Sequence, residues 1–484
     1  MTSSPVSLFV NRMPGHTRIG VMQDDRLIHA EWIRNTEHDR PGQVFVGKVN
    51  RVVPALKAAF VDLGGERTAF LNQSDLPIGM LPDRRTGIED VLKEGRLLVV
   101  QIKKSGYRDK LPQVTARVSS PGLLLVGLWQ ERGIHYAKGY QGEDLGQEAN
   151  HGLMDSEERP MGWLIRSAAS QVPGKRLVQE AAYHLERAEQ ARSALARGQL
   201  GPVLQVFSDL ECLFHFWKYG VRHCFFDDEG LFQARRSLAE AHFPALLPVF
   251  SLHADVHPLF DVYRVQSEWE QLSSPRVWLP SGGYLDFLPS EALTTVDVNS
   301  GKNLRRRGGL SNAMRTNLEA AVEVARQVRL RQLSGLVVVD FVNVARTEAK
   351  TVDRALADGF ASDSAKIDLL PINRFGLAVI SRERTNPDHF GRLHETCRAC
   401  QGTGMQPKPV AVAVEVQHQL LRQLPGLEGE RVLVSCGARL ARFFERHPAW
   451  LNALAESYNI PISVVSAPLA KPLEFDIQLG ATEP

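Results

Sequence analysis

Two aspartates end short β-branched runs, Asp297 in TTVDV (294–298) and Asp340 in LVVVDFV (336–342). Two carboxylates aimed at one site repel each other unless a cation lies between them, and Mg2+ typically takes one or two carboxylates plus water and phosphate oxygens. An ion held this way can polarise a phosphate, lower the pKa of an attacking water and stabilise the leaving oxygen, so the pair suits phosphodiester hydrolysis. Asn299, two residues on, supplies an amide close enough to hold a metal water or a phosphate oxygen. The competing reading is that each Asp merely caps a turn or helix.

For the two carboxylates to meet, their strands must be parallel neighbours, and such strands need a crossover connection. The intervening text provides one, because Leu310, Met314, Leu318, Ala321, Val322, Ala325 and Val328 recur at three- and four-residue intervals, as one face of a helix does. Both aspartates then lie at the carboxyl ends of their strands, the edge where open α/β sheets bind ligands. The crossover is also basic: Lys302, Arg305, Arg306, Arg307, Arg315, Arg326, Arg329 and Arg331 stand against Glu319 and Glu323. A charge run is often only a solvated face; beside an acidic pair it points to cleavage of a polyanion.

The rest of the chain must position this unit. With 484 residues, 43% of them apolar and 23% charged, the composition is that of a globular protein of two to four domains. Lys and Arg number 57 against 55 Asp and Glu, so the net charge of +2 argues against coating nucleic acid by bulk electrostatics and leaves room for a local basic path. No window approaches the ~20 apolar residues of a membrane span, and Asn11, Arg12 and His16 interrupt any secretory core, which predicts a cytoplasmic protein without a membrane segment. Five cysteines are no disulfide framework.

Residues 17–34 read as a hairpin turning at Gln23-Asp24-Asp25, and short apolar runs between 44 and 104 read as a small closed barrel of the oligonucleotide-binding type. A helix is predicted near 177–198, an exposed loop over 139–160, and from about 409 a small α/β module of helix, strand, helix (ARLARFFERHPAWLNALAES) and strand.

Five separated segments, SGGYLDFLPSEALTTVDVNSG (281–301), TNLEAA (316–321), VVVDFVNV (337–344), NRFGL (373–377) and CRACQGTG (397–404), together resemble the ribonuclease E/G family, and GKVNRVVPALKAAFVDLGGERTAFL (47–71) resembles its S1 domain. The length, without a long charged C-terminal tail, is like that family's short form. The resemblance implies an α/β and α+β multidomain fold: an S1 (OB-fold) RNA-binding domain (39–117) inserted in an RNase H-like domain split between 1–38 and 205–273. A 5′-sensor region (118–204), a DNase I-like catalytic domain (274–393), a zinc link (394–408) and a small C-terminal domain (409–484) would follow. It implies a single-strand-specific endoribonuclease of ribosomal, transfer and messenger RNA processing that leaves 5′-monophosphate and 3′-hydroxyl ends. A catalytically weakened paralogue that binds single-stranded RNA as a regulator or scaffold is the alternative.

By motif match, Asp297 and Asp340 would be Mg2+ ligands with Asn299 as their hydrogen-bonding neighbour. Phe60 and Phe70 would stack on bases, although the base rate for a strand Phe is core, and Lys48, Lys57 and Arg51 would meet phosphate. Arg166, Ser167, Arg374, Gly122 and Val126 would sense a 5′-monophosphate; Ser167 replaces the usual Thr, and the Ser/Arg-rich text expected after Val126 is absent, so a weakened preference is expected. Asn343 stands where the family commonly has a second Asp, which lowers the local charge.

Cys397 and Cys400 form a CxxC, half of a tetrahedral zinc site. A redox pair, or ligands completed by Cys212, Cys224 or His394, are the alternatives from the residues alone; the resemblance implies a Zn2+ shared between two protomers, hence a homodimer, with a dimer of dimers as the further option. Arg398 replaces the usual Pro. Cys212, Cys224 and Cys436 read as core.

Overall fold

In a computed structural model of the protein, the described residues are 4–480 apart from 35, 37–38, 82, 84, 107–109, 143–149, 154–160, 291, 302–311, 385–387, 396, 398–399, 401, 403, 426, 428–429 and 468–472. Lys302, Arg305, Arg306, Arg307, Leu310, Arg398 and most of the 139–160 loop therefore lie outside them. The chain forms a mixed α/β, multidomain architecture divided into two units, Met1–Leu393 and His394–Pro484.

In the first unit the N-terminal hairpin turns at Asp24 and Asp25, whose φ values of 50° and 58° are those of a two-residue turn matched to strand twist. Strand Val6–Met13 pairs antiparallel with His16–Gln23 and, on its other edge, parallel with Val221–Phe226. One sheet thus joins strands from the start of the chain to Val221–Phe226 and Phe250–Leu252.

Between those parts, Val44–Val53, Ala58–Asp62, Thr68–Asn72, Gln113–Thr115 and Leu97–Lys104 follow one another around a barrel, closed because the first also pairs with the last. Phe45, Val49, Val61, Leu71, Val100 and Ile102 fill it, while Lys48 and Arg51 point out. A four-stranded sheet follows, Ile134–Tyr136, Met161–Ile165, Leu125–Trp129 and Ser119–Pro121, covered by helix Gly174–Ala196. The periodicity predicts a buried face of Leu177, Ala181 and Leu185; the helix buries the first two fully and Leu185 in part.

The sheet that carries the aspartates runs Arg276–Trp278, Tyr284–Pro289, Leu293–Asn299, Gly335–Asp340, Leu377–Arg382, Ile367–Leu370. Its one parallel pair, Leu293–Asn299 with Gly335–Asp340, is joined by helix Asn312–Leu330. Leu285, Phe287, Val296, Val298, Val337, Val339 and Ile380 are buried with that helix and with Arg346–Phe360, while the alternate residues face outward. One face is core and the other is open, as antiparallel and mixed sheets permit.

The crossover helix departs from the expected single face. Val322 is 53% exposed, whereas Glu323, Arg326 and Gln327 are buried, because a second side of the helix packs against Arg26–Arg34 and the 265–273 segment. Arg326 binds Glu323 at 2.7 Å and Glu268 at 3.1 Å. Arg331 is fully buried over the ring of Phe287, and burial pushes its pKa down to about 10. Arg329 donates to Gly359 O and Ser362, and Arg315 pairs with Glu319. The described half of the basic crossover is therefore largely internal strutting and not a surface for a polyanion, because a guanidinium can satisfy carboxylates and carbonyls at a helix packed on two sides.

The second unit holds the sheet Ile462–Ser466, Val432–Cys436, Phe475–Leu479 with helices Pro409–Gln423, Ala438–Arg446 and Ala449–Tyr458. The single helix that the sequence predicts over 438–457 is two: His447 leaves the helical region (φ −132°, ψ 61°) ahead of Pro448, which disfavours helical backbone before it. The strand Phe475–Leu479 was not foreseen.

Candidate active site

Asp297 and Asp340 are register partners on the parallel pair, so both leave the same outward face side by side, with Cα atoms separated by about the 4.8 Å of neighbouring strands. Both are exposed. Asn299 donates its side-chain amide to Asp297 Oδ2 at 2.8 Å, which holds that carboxylate in one orientation and leaves the amide oxygen for another partner. Gly283 permits this edge to close: a Cβ there would lie 2.6 Å from Asn299 O, so only glycine lets the 281–283 turn rest on that backbone. The donor set is all oxygen, carboxylates plus an amide, the set a hard divalent cation prefers. Among the described residues neither Asp297 nor Asp340 forms an ion pair, so their mutual repulsion is not relieved by a protein cation there.

The row continues beyond what the motif indicated. Asp286 is the register partner of Asp297 on the other side, and Arg276 that of Asp286. Arg276 grips Asp286 with two 2.8 Å bonds, so this third carboxylate is neutralised within the sheet. Period-two alternation in RVW and YLDFLP carried the signal, but pairing alone places Asp286 next to Asp297.

Around the edge, Asn317 is fully buried and clamps Val342 from both sides, donating to its O at 2.8 Å and accepting from its N at 3.0 Å. This fixes the chain just after Asp340. Asn343 follows at φ 43°, a left-handed position that Asn tolerates well, so an amide there suits the backbone. Arg374 is exposed in the 371–376 turn, which docks through Phe341 N to Gly376 O at 3.2 Å and leads into Leu377, the partner of Asp340. It stands at the acidic edge.

The other residues assigned to 5′ sensing gather elsewhere. Arg166 donates to Gly122 O and to Phe214 O (2.9 Å), Ser167 opens the following turn, and Val126 pairs with Leu164 and Pro121. Burial lowers the Arg166 pKa, with Glu180 opposing. Gly122 has no room for a side chain, since a Cβ would meet Glu180 Oε1 at 2.3 Å. No hydrogen bond joins Arg374 to this group among the described residues.

On the barrel, Arg51, Phe60 and Phe70 are successive register partners on three adjacent strands. The two rings meet edge to face at 5.8 Å, half-buried and outside the barrel core. Lys48 and Lys57 are exposed nearby. Cys397 is exposed and Cys400 partly so, while Cys224 and Cys436 are fully buried. Cys212 is buried too, but not in purely apolar surroundings: His29 Nε2 lies 3.5 Å and Glu31 Oε2 3.7 Å from its sulfur, and burial with the nearby carboxylates drives its pKa well up.

A closed barrel with paired outward phenylalanines, joined in one chain to a sheet with an acidic carboxyl-end edge, defines a mixed α/β multidomain protein. The model of the ribonuclease E/G family matches residues 141–385, and the chain belongs to that family. It is 30% identical over 404 residues to ribonuclease E of Escherichia coli (strain K12), a match covering 80% of this chain and 37% of that protein. Ribonuclease E of Haemophilus influenzae is 29% identical over 398 residues, with 80% and 42% covered. Ribonuclease G of Escherichia coli (strain K12) is 26% identical over 497 residues, 97% of this chain and 99% of that one. The chain therefore spans well under half the length of those two ribonuclease E relatives and nearly all of the ribonuclease G relative. Among the described residues no helix is long and apolar enough to cross a membrane.

Proposed function

We propose that the protein is a Mg2+-dependent endoribonuclease that cuts single-stranded RNA to 5′-monophosphate and 3′-hydroxyl ends, in the cytoplasm, during processing of ribosomal and transfer RNA and decay of messenger RNA. The observation that carries the reading is the side-by-side register of Asp297 and Asp340 with Asn299 bonded to the first. Asp297 and Asp340 would hold the Mg2+, which when bound polarises the phosphate and activates water. Asn299 keeps the Asp297 carboxylate aimed, and the Asn317 clamp keeps the backbone after Asp340 from moving. Phe60 and Phe70 hold two bases by stacking while Lys48 and Lys57 neutralise phosphates, which delivers an unpaired strand and rejects a duplex.

In this reading the barrel is the S1 domain, the sheet of 6–34 and 221–252 is RNase H-like, the aspartate sheet is DNase I-like, and Cys397 with Cys400 contribute half of a Zn2+ site completed by a second copy of the chain. Arg166, Ser167, Gly122 and Val126 serve the RNA 5′ end, and Arg374, apart from them at the acidic edge, serves it from the catalytic sheet. Two of the five Arg166 donors hold backbone carbonyls and fix its orientation, and because the Ser/Arg-rich text after Val126 is missing, the preference for a 5′-monophosphate is weak. The test is cleavage of a single-stranded oligoribonucleotide by the wild type and by Asp297→Ala, with and without Mg2+. Metal-dependent cutting lost in the variant is expected; cutting retained by Asp297→Ala removes the mechanism.

A further inference from the structure

The outward face that carries the acidic pair does not end with it. Trp278 is the register partner of Tyr284, and Tyr284 that of Asn299, so an aromatic pair extends from the Asn299 position to the edge of the sheet, on the same face as Asp297. Trp278 is 66% exposed, a large apolar ring held out in water on a strand whose neighbour Val277 is core. Its orientation is not loose. It meets Tyr284 edge to face at 5.3 Å; Arg276 lies over the Tyr284 ring at 4.1 Å; and Asp286 pins Arg276 through two bonds of 2.8 Å. The stack Asp286–Arg276–Tyr284–Trp278 is thus pre-organised, and only the ring at its end remains to be covered.

We propose that Trp278 is a stacking platform for an unpaired nucleobase flanking the cleaved phosphate, with Tyr284, Arg276 and Asp286 as positioning residues. The proposal rests on the endoribonuclease reading and adds a base-binding subsite on the catalytic sheet to the contacts of the barrel. Three features select this occupant. The platform lies two strand spacings from Asn299, about 10 Å, and about 12 Å from Asp297 two residues further along the strand, a distance that a base on a nucleotide flanking the held phosphate can span. An indole face takes any base, as a sequence-tolerant nuclease requires. Next to the acidic pair, Arg276 and its neutralised Asp286 leave this end of the row without excess negative charge, so a polyanion can run over it.

The experiment measures kcat and KM for a single-stranded oligoribonucleotide with one preferred cut, using the full chain as wild type, Trp278→Ala and Trp278→Phe, each also on substrates carrying one abasic nucleotide at successive positions beside the cut. One stacked base corresponds to about a tenfold effect. Trp278→Ala is expected to raise KM about tenfold with kcat little changed, and Trp278→Phe to recover most of it. One abasic position should cost the wild type a similar factor and cost Trp278→Ala nothing further. Unchanged KM in Trp278→Ala, or losses that multiply at every abasic position, overturns the platform. So does a change of oligomeric state on Trp278→Ala, which makes the ring a protein contact. If the wild type does not cut, the endoribonuclease reading falls instead, and anisotropy of the same labelled oligonucleotides still decides between a base on Trp278 and none.

Discussion

Asn299 donates to Asp297 across 2.8 Å, and the bond ties the one carboxylate that lies between Asp286 and Asp340 in the register row. Partners that orient a metal-binding carboxylate typically change metal affinity or activity 10- to 100-fold when removed. Asn299→Ala should therefore raise the Mg2+ concentration giving half-maximal cleavage by about that factor, while thermal stability stays near wild type because the pair is at the surface. A magnesium titration of the cleavage rate checks it; an unchanged midpoint would remove Asn299 from the site.

The rings of Phe60 and Phe70 lie outside the barrel core, so their loss should cost binding and not folding. Each single change to Ala is expected to weaken binding of a single-stranded oligonucleotide by about 1–3 kcal/mol. Fluorescence anisotropy gives the affinity and a melting curve the stability. A large fall in Tm with unchanged affinity would return both residues to the core.

Glu323 receives Arg326 at 2.7 Å and Arg26 at 2.8 Å with its side chain about 5% exposed, and these cations hold its carboxyl low despite a burial that pushes the other way. Breaking a buried pair leaves a charge without compensation, at about 3–5 kcal/mol. Glu323→Ala should shift the denaturation midpoint accordingly, measured in urea with unchanged m-value. A shift below 1 kcal/mol would show that the helix does not depend on this strut.

His389 is 2% exposed, its Nδ1 has no hydrogen-bond partner among the described residues, and burial lowers its pKa to about 4 despite a contact with Ala30 O. Between about pH 4 and 6.5 the unfolded state binds the proton and the folded state does not, so stability rises with pH across that window and is lost as pH falls. At roughly 1.4 kcal/mol per pH unit the histidine contributes about 3–4 kcal/mol of acid sensitivity across that window. His389→Gln should flatten the dependence of the urea midpoint between pH 4.5 and 7; an undiminished slope would assign it to other groups.

If Cys397 and Cys400 hold half of a shared zinc, a chelator or Cys397→Ser should convert dimer to monomer in light scattering, with one zinc released per two chains. An unaltered mass distribution after metal removal would exclude the shared site.

Local order was legible in the sequence because it depends on neighbours in the chain. Strand alternation around 44–104, the spacing of Leu177 and Ala181, the Asp24-Asp25 turn and the runs ending in Asp297 and Asp340 each follow from side-chain type and backbone preference. Pro448 could have been read as a break as well. What the tertiary structure decided depends on residues far apart. The parallel pairing of Val6–Met13 with Val221–Phe226 crosses more than 200 positions, and nothing periodic announces it. The arginines of the crossover helix looked like a surface for phosphate, but a helix packed on two sides can bury Arg326 and Arg331 once Glu268, Glu323 and Phe287 are brought to them. Likewise Asp286, Tyr284 and Trp278 acquired meaning only when strand register set them beside Asp297 and Asn299. A single chain encodes which residues can do chemistry; the long-range pairing that lowers its free energy selects which of them meet.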